Sequence, residues 1–244
     1  MSLLSPEKKL EKKIVSRFNK ALYDYGLIED GDRILVGLSG GKDSLCLLNF
    51  LAQRRKIKRP SFEIEALHIR MSNIKYETDA EYLDRFCSDR GVRLHVVTTG
   101  FDSSTDNRKS PCFLCSWNRR KQMFTLARQL SFNKIALGHH MDDIIHTAMM
   151  NVFFQGSFST MPVRLKMRKM PVTIIRPLCL EEETDLRMFA EASGYKKQKK
   201  ICPYDSSSHR MSMRNVFSEI ENLSSEARYS VWTALEKAGR LIEE

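Results

Sequence analysis

The chain has 244 residues, of which 42% are hydrophobic and 29% are charged, a composition that suits one large domain with a substantial core. No apolar run reaches membrane-spanning length and the lysine-rich start lacks a secretory signal, so we expect a cytoplasmic protein without membrane contact. The formal net charge of +10 favours a polyanionic partner, although a soluble protein that is merely basic is an equal alternative.

Hydrophobic periodicity predicts strands that alternate with helices along the chain. The predicted helices cover 7–25, the segment after 39–44, and then 79–90, 112–130, 142–154, 184–193 and the segments after 210. The predicted strands cover 33–38, 62–69, 93–98, 134–137 and 172–175, with an exposed loop at 100–111. This alternation indicates an α/β fold with a doubly wound parallel sheet, in which ligands bind beyond the carboxyl ends of the strands.

The segment Ser39-Gly40-Gly41-Lys42-Asp43-Ser44 lies between a buried strand and a helix, where phosphate-binding loops occur. The glycines let the backbone approach oxyanions, and the helix start presents free N–H groups at the positive end of its dipole. We expect Ser39 and Ser44 to donate hydroxyl hydrogen bonds. Lys42 would supply charge, and Asp43 would hold Mg²⁺ through water. The segment matches neither the Walker A pattern nor the dinucleotide fingerprint, and it predicts ATP binding.

Two of the six cysteines form a Cys-x-x-Cys pair, Cys112 and Cys115. This spacing is found in zinc and iron–sulfur sites, although a redox pair or chance also fits it. Cys202, in a basic polar loop, is the best third ligand, and no fourth ligand is evident. Three cysteines suit a cluster with one open iron better than a closed structural zinc. The remaining cysteines are predicted to pack in the core: Cys46, Cys87 and Cys179.

A second polar segment, Gly138-His139-His140-Met141-Asp142-Asp143, follows a predicted strand and begins a helix. His139 and Asp143 are four residues apart and therefore share a helix face. Helix capping alone explains carboxylates at a helix start, but this strand end faces the same crevice as the loop at 39–44. We therefore predict contact with the nucleotide, Mg²⁺ or the acceptor. His146 is expected to be a packed or surface histidine.

Together these features resemble the tRNA 2-thiocytidine synthetase family of PP-loop ATP pyrophosphatases. The loop at 39–44 is shared by PP-loop enzymes in general, whereas the combination of motifs is specific. The matching stretches run in family order: 28–34, 39–44, Cys112 and Cys115 with Arg119-Arg120, 134–140 with Asp142-Asp143, Asn151 and Phe153, Met161-Pro162, 175–178 and Cys202.

The resemblance implies a PP-loop ATPase fold of the adenine nucleotide alpha hydrolase-like, Rossmann-like type, with added N- and C-terminal helices. We divide the chain into an N-terminal helix (1–26), a PP-loop domain with the Cys-x-x-Cys pair (27–200) and a C-terminal helical region with the third cysteine (201–244). The implied activity is that of an ATP-dependent tRNA sulfurtransferase. ATP would adenylate the C2 oxygen of a cytidine in the tRNA anticodon loop, and sulfur carried on the open iron would displace AMP.

The resemblance also implies the site residues, the cofactors and the partners. A [4Fe–4S] cluster is assigned to Cys112, Cys115 and Cys202, and Mg²⁺ to Asp43 and Asp143. Catalytic roles are assigned to Lys42, Cys112, Asp142, Asp143 and Cys202. Nucleotide contacts are assigned to Ser39, Gly40, Gly41, Lys42, Asp43, Ser44, His68, Gly138 and His139. Candidate tRNA phosphate contacts are Arg119, Arg120, Arg164, Lys166, Arg168, Lys169 and the basic run 196–200.

The implied partners are tRNA and a sulfur donor, which is either a cysteine desulfurase or sulfide, and a homodimer is one option. Another PP-loop nucleotidyl-activating enzyme, such as lysidine synthetase, is the first alternative, but it leaves the three cysteines without a role. A catalytically silent tRNA- or iron-binding module is the second. The intact 39–44 loop and the Asp142-Asp143 pair argue against it, because loss of those residues would be its signature.

Overall fold

The computed structural model describes residues 5–73, 75–77, 79–101, 110–196, 199–201 and 209–244. Its helices are Pro6–Asp24 (α1), Lys42–Arg54 (α2), Ala80–Ser88 (α3), Pro111–Gln129 (α4), Met141–Gln155 (α5), Glu183–Ala192 (α6), His209–Leu223 (α7) and Ala227–Lys237 (α8). Its strands are Asp32–Gly37 (β1), Phe62–Met71 (β2), Lys75–Glu77 (β3), Leu94–Thr99 (β4), Lys134–Ala136 (β5), Arg164–Lys166 (β6), Thr173–Ile175 (β7), Lys199–Ile201 (β8) and Ile242–Glu243 (β9). The elements predicted from periodicity are present, with ends shifted by about two residues at most. The interior of the predicted loop, 102–109, lies outside the described residues.

The main sheet has seven strands in the order β4-β2-β1-β5-β7-β6-β9. The first five strands of this order run parallel to their neighbours, as predicted. The chain first builds the sheet on one side of β1 and then crosses to β5 on the other side, so β1 and β5 flank a topological switch point. The loop at 39–44 follows β1 and the segment 138–143 follows β5, and the two predicted polar segments therefore end adjacent strands.

Several short strands were not predicted. β6 pairs antiparallel with β7, and β9 pairs parallel with β6, which extends the sheet beyond its parallel part. β3 and β8 form a separate antiparallel ribbon. Strands of two or three residues carry too few side chains to show alternation. The three-residue strands β5 and β7 were predicted because they lie in apolar runs, whereas β3, β6, β8 and β9 lie in segments rich in charged residues.

One apolar core joins the helices at both ends of the chain to the sheet. Ile14 of α1, Phe217 of α7 and Trp232 of α8 belong to the same buried cluster. His146 packs edge-on against Phe217, with ring centroids 5.6 Å apart, as expected of a packed histidine. The division into 1–26, 27–200 and 201–244 stays a prediction. Among the described residues, no helix is both long and apolar enough to cross a membrane.

Candidate functional site

The loop after β1 is held in shape by its own hydroxyl groups. Gly40 has a φ of +83°, a left-handed conformation that glycine adopts without strain. Ser44 Oγ donates to the Gly41 carbonyl oxygen at 2.9 Å and accepts from the Gly40 N–H at 3.1 Å. Ser39 Oγ donates to Ser44 Oγ at 3.1 Å and accepts from the Gly41 N–H at 3.3 Å. These bonds fix the backbone at the start of α2, where the helix dipole favours phosphate.

Gly138 lets the second polar segment approach this loop closely. A Cβ atom at Gly138 would lie 3.1 Å from the Asp43 carbonyl carbon and oxygen and 3.1 Å from the Ser44 nitrogen. These neighbours are backbone atoms at the start of α2 and cannot move aside as the end of a flexible side chain could. Glycine at this position therefore brings the ends of β1 and β5 together.

A cavity of about 360 Å³ opens between the two segments. Its apolar wall is formed by Leu67, Ile69, Met123 and Leu137. Its polar lining includes Ser39, Asp43, Ser44, Arg119, His139 and Asp143. The structure thus brings side chains from both predicted segments to one crevice, with Gly40, Gly41 and Lys42 in the adjoining loop. Their contacts with ATP and Mg²⁺ remain predictions.

His68 is placed differently from the other assigned nucleotide contacts. The side chain is 3% exposed, its Nδ1 lies 2.8 Å from the Leu38 carbonyl oxygen, and it is not among the described residues that line the cavity. Side chains alternate along a strand, so Leu67 and Ile69 face the cavity and His68 faces the other side of β2. In this structure His68 contacts the backbone at the end of β1, and its assignment to the nucleotide stays a prediction.

Lys42 connects the loop to α6. Its Nζ lies 3.0 Å from Asp43 Oδ1 and 3.2 Å from Glu183 Oε1. Burial alone would lower the pKa of Lys42, but the two carboxylates outweigh burial and raise it, so the cation is retained. Glu183 also pairs with Arg214 of α7. The predicted phosphate-binding lysine is thus part of an ion-pair chain that reaches the C-terminal helices.

Asp142, which was predicted to be catalytic, has its carboxylate inside the protein. One carboxylate oxygen accepts the Glu183 N–H at 2.8 Å and lies 3.3 Å from His140 Nδ1, and the other pairs with Arg228 of α8. Burial alone would raise the pKa of Asp142, but the bonds from His140 and Arg228 hold it well below its usual range. Asp142 is 7% exposed. Because both oxygens are engaged inside the protein, the structure points to Asp142 as a positioning residue.

Asp143, in contrast, faces the cavity. The first turn of α5 is closed by a capping box in which Asp143 Oδ2 accepts the His140 N–H at 3.3 Å. His140 Nε2 lies 3.5 Å from the same oxygen. Burial alone would lower the pKa of His140, but Asp142, Asp143 and Asp43 outweigh burial and raise it. Asp143 therefore caps α5 and also lines the crevice, and its role as a Mg²⁺ ligand stays a prediction.

Four charged residues near this site were not assigned a role from the sequence: Arg176, Glu183, Arg214 and Arg228. Arg176 is buried, and its Nε lies 3.3 Å from His139 Nδ1. Burial lowers the pKa of Arg176 to about 10, with Arg120 contributing. The match at 175–178 was a signal for Arg176, whereas nothing local marks Glu183 within its acidic run or the two arginines of the C-terminal helices.

The Cys-x-x-Cys pair occupies the first turn of α4. Ser110 caps this helix by accepting the Phe113 N–H at 3.3 Å. Cys112 is exposed and Cys115 is half-buried. Cys115 and Arg119 share a helix face, about 6 Å apart along the helix axis, and Arg119 lines the cavity. Cys115 therefore lies one helical turn, and Cys112 two turns, from a residue that lines the candidate nucleotide site.

The third assigned ligand, Cys202, lies outside the described residues, as do residues 197 and 198 of the basic run. Within the described ranges, no three His, Cys, Asp or Glu side chains are grouped closely enough to hold a metal ion. The three-cysteine set and the Mg²⁺ ligands therefore stay predictions. Cys46, Cys87 and Cys179 are buried, and the prediction that they pack in the core is confirmed.

A buried carboxyl group behind the site gives the first testable prediction. Glu181 is 0% exposed, and neither side-chain oxygen has a hydrogen-bond partner among the described residues. Burial raises the pKa of Glu181 from 4.5 to about 8. Between these values the unfolded chain loses the proton and the folded chain keeps it, so stability falls by about 1.4 kcal/mol for each pH unit.

Glu181→Gln is therefore expected to remove this pH dependence. Wild type should lose roughly 2 kcal/mol more than the variant in the free energy of unfolding between pH 6 and pH 8. Urea denaturation at both pH values measures the difference. Glu191→Gln, at an exposed position on α6, is the matched control and should follow wild type. Equal pH dependence in wild type and Glu181→Gln would contradict a buried, protonated Glu181.

Comparison with known proteins places these features in context. Residues 7–216 match the family described as PP-loop domain. The chain is 36% identical to tRNA-cytidine(32) 2-sulfurtransferase 1 of Francisella tularensis subsp. novicida over 192 residues, which cover 77% of this chain and 71% of that protein. It is 33% identical to the tRNA-cytidine(32) 2-sulfurtransferase of Geobacter sulfurreducens over 92% of this chain and 89% of that protein.

Among solved structures, the chain is similar to the U34-tRNA thiolase NcsA of Methanococcus maripaludis, determined with its [4Fe–4S] cluster. The TM-score is 0.80 at 25% sequence identity, and the match covers 95% of this chain and 79% of that one. A similarity of this extent supports the PP-loop α/β fold that was predicted from the sequence.

Proposed function

The chain belongs to the PP-loop domain family and, within it, to the tRNA-cytidine(32) 2-sulfurtransferases, and we propose on this basis that it is an ATP-dependent transferase that thiolates cytidine 32 of tRNA. The observation that carries the proposal is that Cys115 lies one helical turn, and Cys112 two turns, from Arg119, which lines the cavity at the PP-loop. A site for nucleotide activation and a pair of sulfur ligands thereby meet on α4. The lysidine synthetase alternative gives that pair no task.

The activation half of the site consists of the loop after β1 and the start of α5. Free N–H groups at the start of α2 and the charge of Lys42 would bind the phosphates of ATP. Phosphate oxygens would take the place of the Asp43 and Glu183 carboxylates that pair with Lys42. Asp43 and Asp143 would hold Mg²⁺. The C2 oxygen of cytidine would attack the α-phosphorus, with pyrophosphate as the leaving group, and AMP would then leave with the oxygen when sulfur replaces it.

The sulfur half of the site fits an iron–sulfur cluster. Cys112 and Cys115 project from one helix turn, are accessible, and are soft ligands of the kind that bind iron in such clusters. With Cys202, outside the described residues, they would hold a [4Fe–4S] cluster, which supplies the sulfur-transfer chemistry when bound. The helix start also favours negative charge on its ligands. This assignment accounts for all three cysteines that packing does not explain.

The proposal extends to the surroundings of the enzyme. Free sulfide would provide the sulfur directly at the oxidation level that the thiolated base requires. A cysteine desulfurase would provide it as persulfide sulfur, which two electrons from a thiol reductant would bring to the same level. A cytoplasmic location follows from the tRNA substrate, and a homodimer completes the proposal. Light scattering coupled to size-exclusion chromatography measures the oligomeric state. A mass equal to that of a single chain would refute the proposed dimer.

Nucleoside analysis tests the proposed activity. We expect protein with a reconstituted cluster, incubated with ATP, Mg²⁺, sulfide and unmodified tRNA, to form 2-thiocytidine and to release pyrophosphate. Digestion of the tRNA followed by mass spectrometry identifies the nucleoside and its position. Omission of ATP is the control and should give none. A parallel incubation has lysine in place of sulfide, and pyrophosphate release with lysine incorporated into cytidine there would instead establish the lysidine alternative. No modified cytidine under any condition would refute the transferase.

A further inference from the structure

The outer face of α4 is unusual for a helix that packs on a sheet. Only Ala127 of its 19 residues is fully buried. The helix contains four arginine or lysine residues and no aspartate or glutamate: Arg119, Arg120, Lys121 and Arg128 are its charged residues. A helix that packs against β2 and β4 with one fully buried residue and a single sign of charge has a solvent face suited to a polyanion.

A groove of about 350 Å³ runs along this face, distinct from the nucleotide cavity. Its floor is apolar and aromatic, formed by Trp117 and Phe124 of α4 and by Met170 from the turn between β6 and β7. Its rim is cationic, formed by Arg120, Lys121 and Arg128. Trp117 is 51% exposed, so its side chain is accessible to a ligand.

The cations of the rim are not used in holding the fold together. In the part of the chain that the structure describes, Arg120, Lys121 and Arg128 form no ion pair, whereas Arg164 bonds the Gly26 carbonyl oxygen and pairs with Glu244 at 2.8 Å. Lys121 Nζ lies 5.4 Å from the Trp117 ring centroid, a cation–π contact that orients both groups at the groove. The rim is therefore ready for phosphate, with its charges unneutralised.

We propose that this groove binds an unpaired nucleotide of the RNA substrate, with the base stacked on Trp117 and the flanking phosphates on Arg120, Lys121 and Arg128. The proposal rests on the proposed tRNA thiolation and adds a recognition site to it. An aromatic floor with a phosphate-binding rim is the arrangement by which proteins hold single-stranded nucleic acid, because every base has a face that can stack. An acidic peptide would match the rim but would leave the indole surface without a partner.

The position of the groove on α4 suits this role. Arg119 and Met123 line the nucleotide cavity, and Arg120 and Phe124, the next residues along the helix, line the groove. A loop of RNA that presents its target base to the cavity can therefore cross α4 and place a neighbouring base on Trp117. The stacked base would fix the register of the substrate without touching the reacting atoms, so Trp117 is a positioning and specificity residue.

Trp117→Ala tests the proposal against Trp117→Phe, which keeps an aromatic face. We expect Trp117→Ala to raise KM for tRNA by about 5- to 150-fold, the effect of a lost base stack, with kcat and the KM for ATP unchanged. Trp117→Phe should remain within a few-fold of wild type. Tyr23→Ala, which removes an aromatic side chain that is 87% exposed on α1, is the matched control and should not change KM.

Fluorescence gives a second readout that does not depend on thiolation. The chain has two tryptophans, and the other one, Trp232, is 7% exposed, so quenching by an added oligonucleotide reports on Trp117. A single-stranded anticodon-loop RNA should quench wild type but not Trp117→Phe, and a duplex of the same length should quench weakly. If no quenching occurs and Trp117→Ala keeps the wild-type KM, the groove proposal is wrong. If quenching occurs but no thiocytidine forms in wild type, the groove stands and the proposed reaction fails.

Discussion

Cys115→Ala is expected to leave a folded protein that carries no iron–sulfur cluster and thiolates tRNA only at background level. The side chain is half-buried in the first turn of α4, so its removal loses little packing, yet it would remove one of three proposed ligands. Cys112→Ala, at an exposed position, and Cys202→Ala should have the same effect. The measurements are iron and acid-labile sulfide content after anaerobic reconstitution, together with 2-thiocytidine in the product tRNA.

Buried cysteines of the same chain provide the matched controls. Cys46 and Cys87 are 0% and 1% exposed, and their alanine variants should bind the cluster and thiolate tRNA once reconstituted. The ligand variants should still release pyrophosphate from ATP in the presence of tRNA, because the loop at 39–44 is intact in them. Retention of iron in both Cys112→Ala and Cys115→Ala would show that this pair does not hold the cluster.

Lys42→Ala is expected to lower ATP-dependent turnover by about 10²- to 10³-fold, the effect of removing one preorganised charge from a developing anion. The protein should fold, because Glu183 keeps its second partner, Arg214, when Lys42 is absent. Cluster content should equal that of wild type. Steady-state pyrophosphate release measures the loss, and thiolation should fall in parallel because adenylation precedes sulfur transfer.

The control for Lys42→Ala is an alanine variant of a different lysine that also forms an ion pair. Lys20 is an exposed residue of α1 whose Nζ lies 2.5 Å from Asp24, and Lys20→Ala should retain wild-type turnover. The cysteine and lysine variants together separate the two halves of the site. The cysteine variants should lose the cluster and keep pyrophosphate release, whereas Lys42→Ala should keep the cluster and lose pyrophosphate release. Wild-type pyrophosphate release in Lys42→Ala would contradict the proposal that the loop at 39–44 activates ATP.

The sequence predicted the local parts of this protein well, for reasons visible in single residues. The loop at 39–44 was identified because its important residues are close together in the sequence. Gly40 tolerates a φ of +83°, and the Ser44 hydroxyl, four residues later, bonds the loop backbone. The Cys-x-x-Cys pair was identified because both cysteines belong to one helix turn. Such signals lie within a few residues of the sequence, so they can be recognised without knowledge of the fold.

Contacts between distant residues were not predicted, and the roles that depend on them stay predictions. Asp142 was assigned to catalysis, but its carboxylate is occupied by Arg228, 86 residues away, and by the Glu183 backbone. His68 was assigned to the nucleotide, but the pleat of β2 turns it away from the cavity. The floor of the groove at Trp117 includes Met170, which lies in the turn between β6 and β7 and not on α4. None of these contacts leaves a trace in the local sequence pattern.

The sequence by itself determined the alternation of strands and helices, the nucleotide loop, the cysteine pair and, through their combination, the family. Each of these depends on short-range geometry: backbone dihedral angles, helix periodicity and residue spacing. Only the tertiary structure decided the strand order that sets β1 beside β5, the closeness of Gly138 to the loop, and which carboxylates face the cavity. These outcomes follow from packing between segments more than 40 residues apart, where burial and ion pairing select a partner that spacing along the chain does not specify.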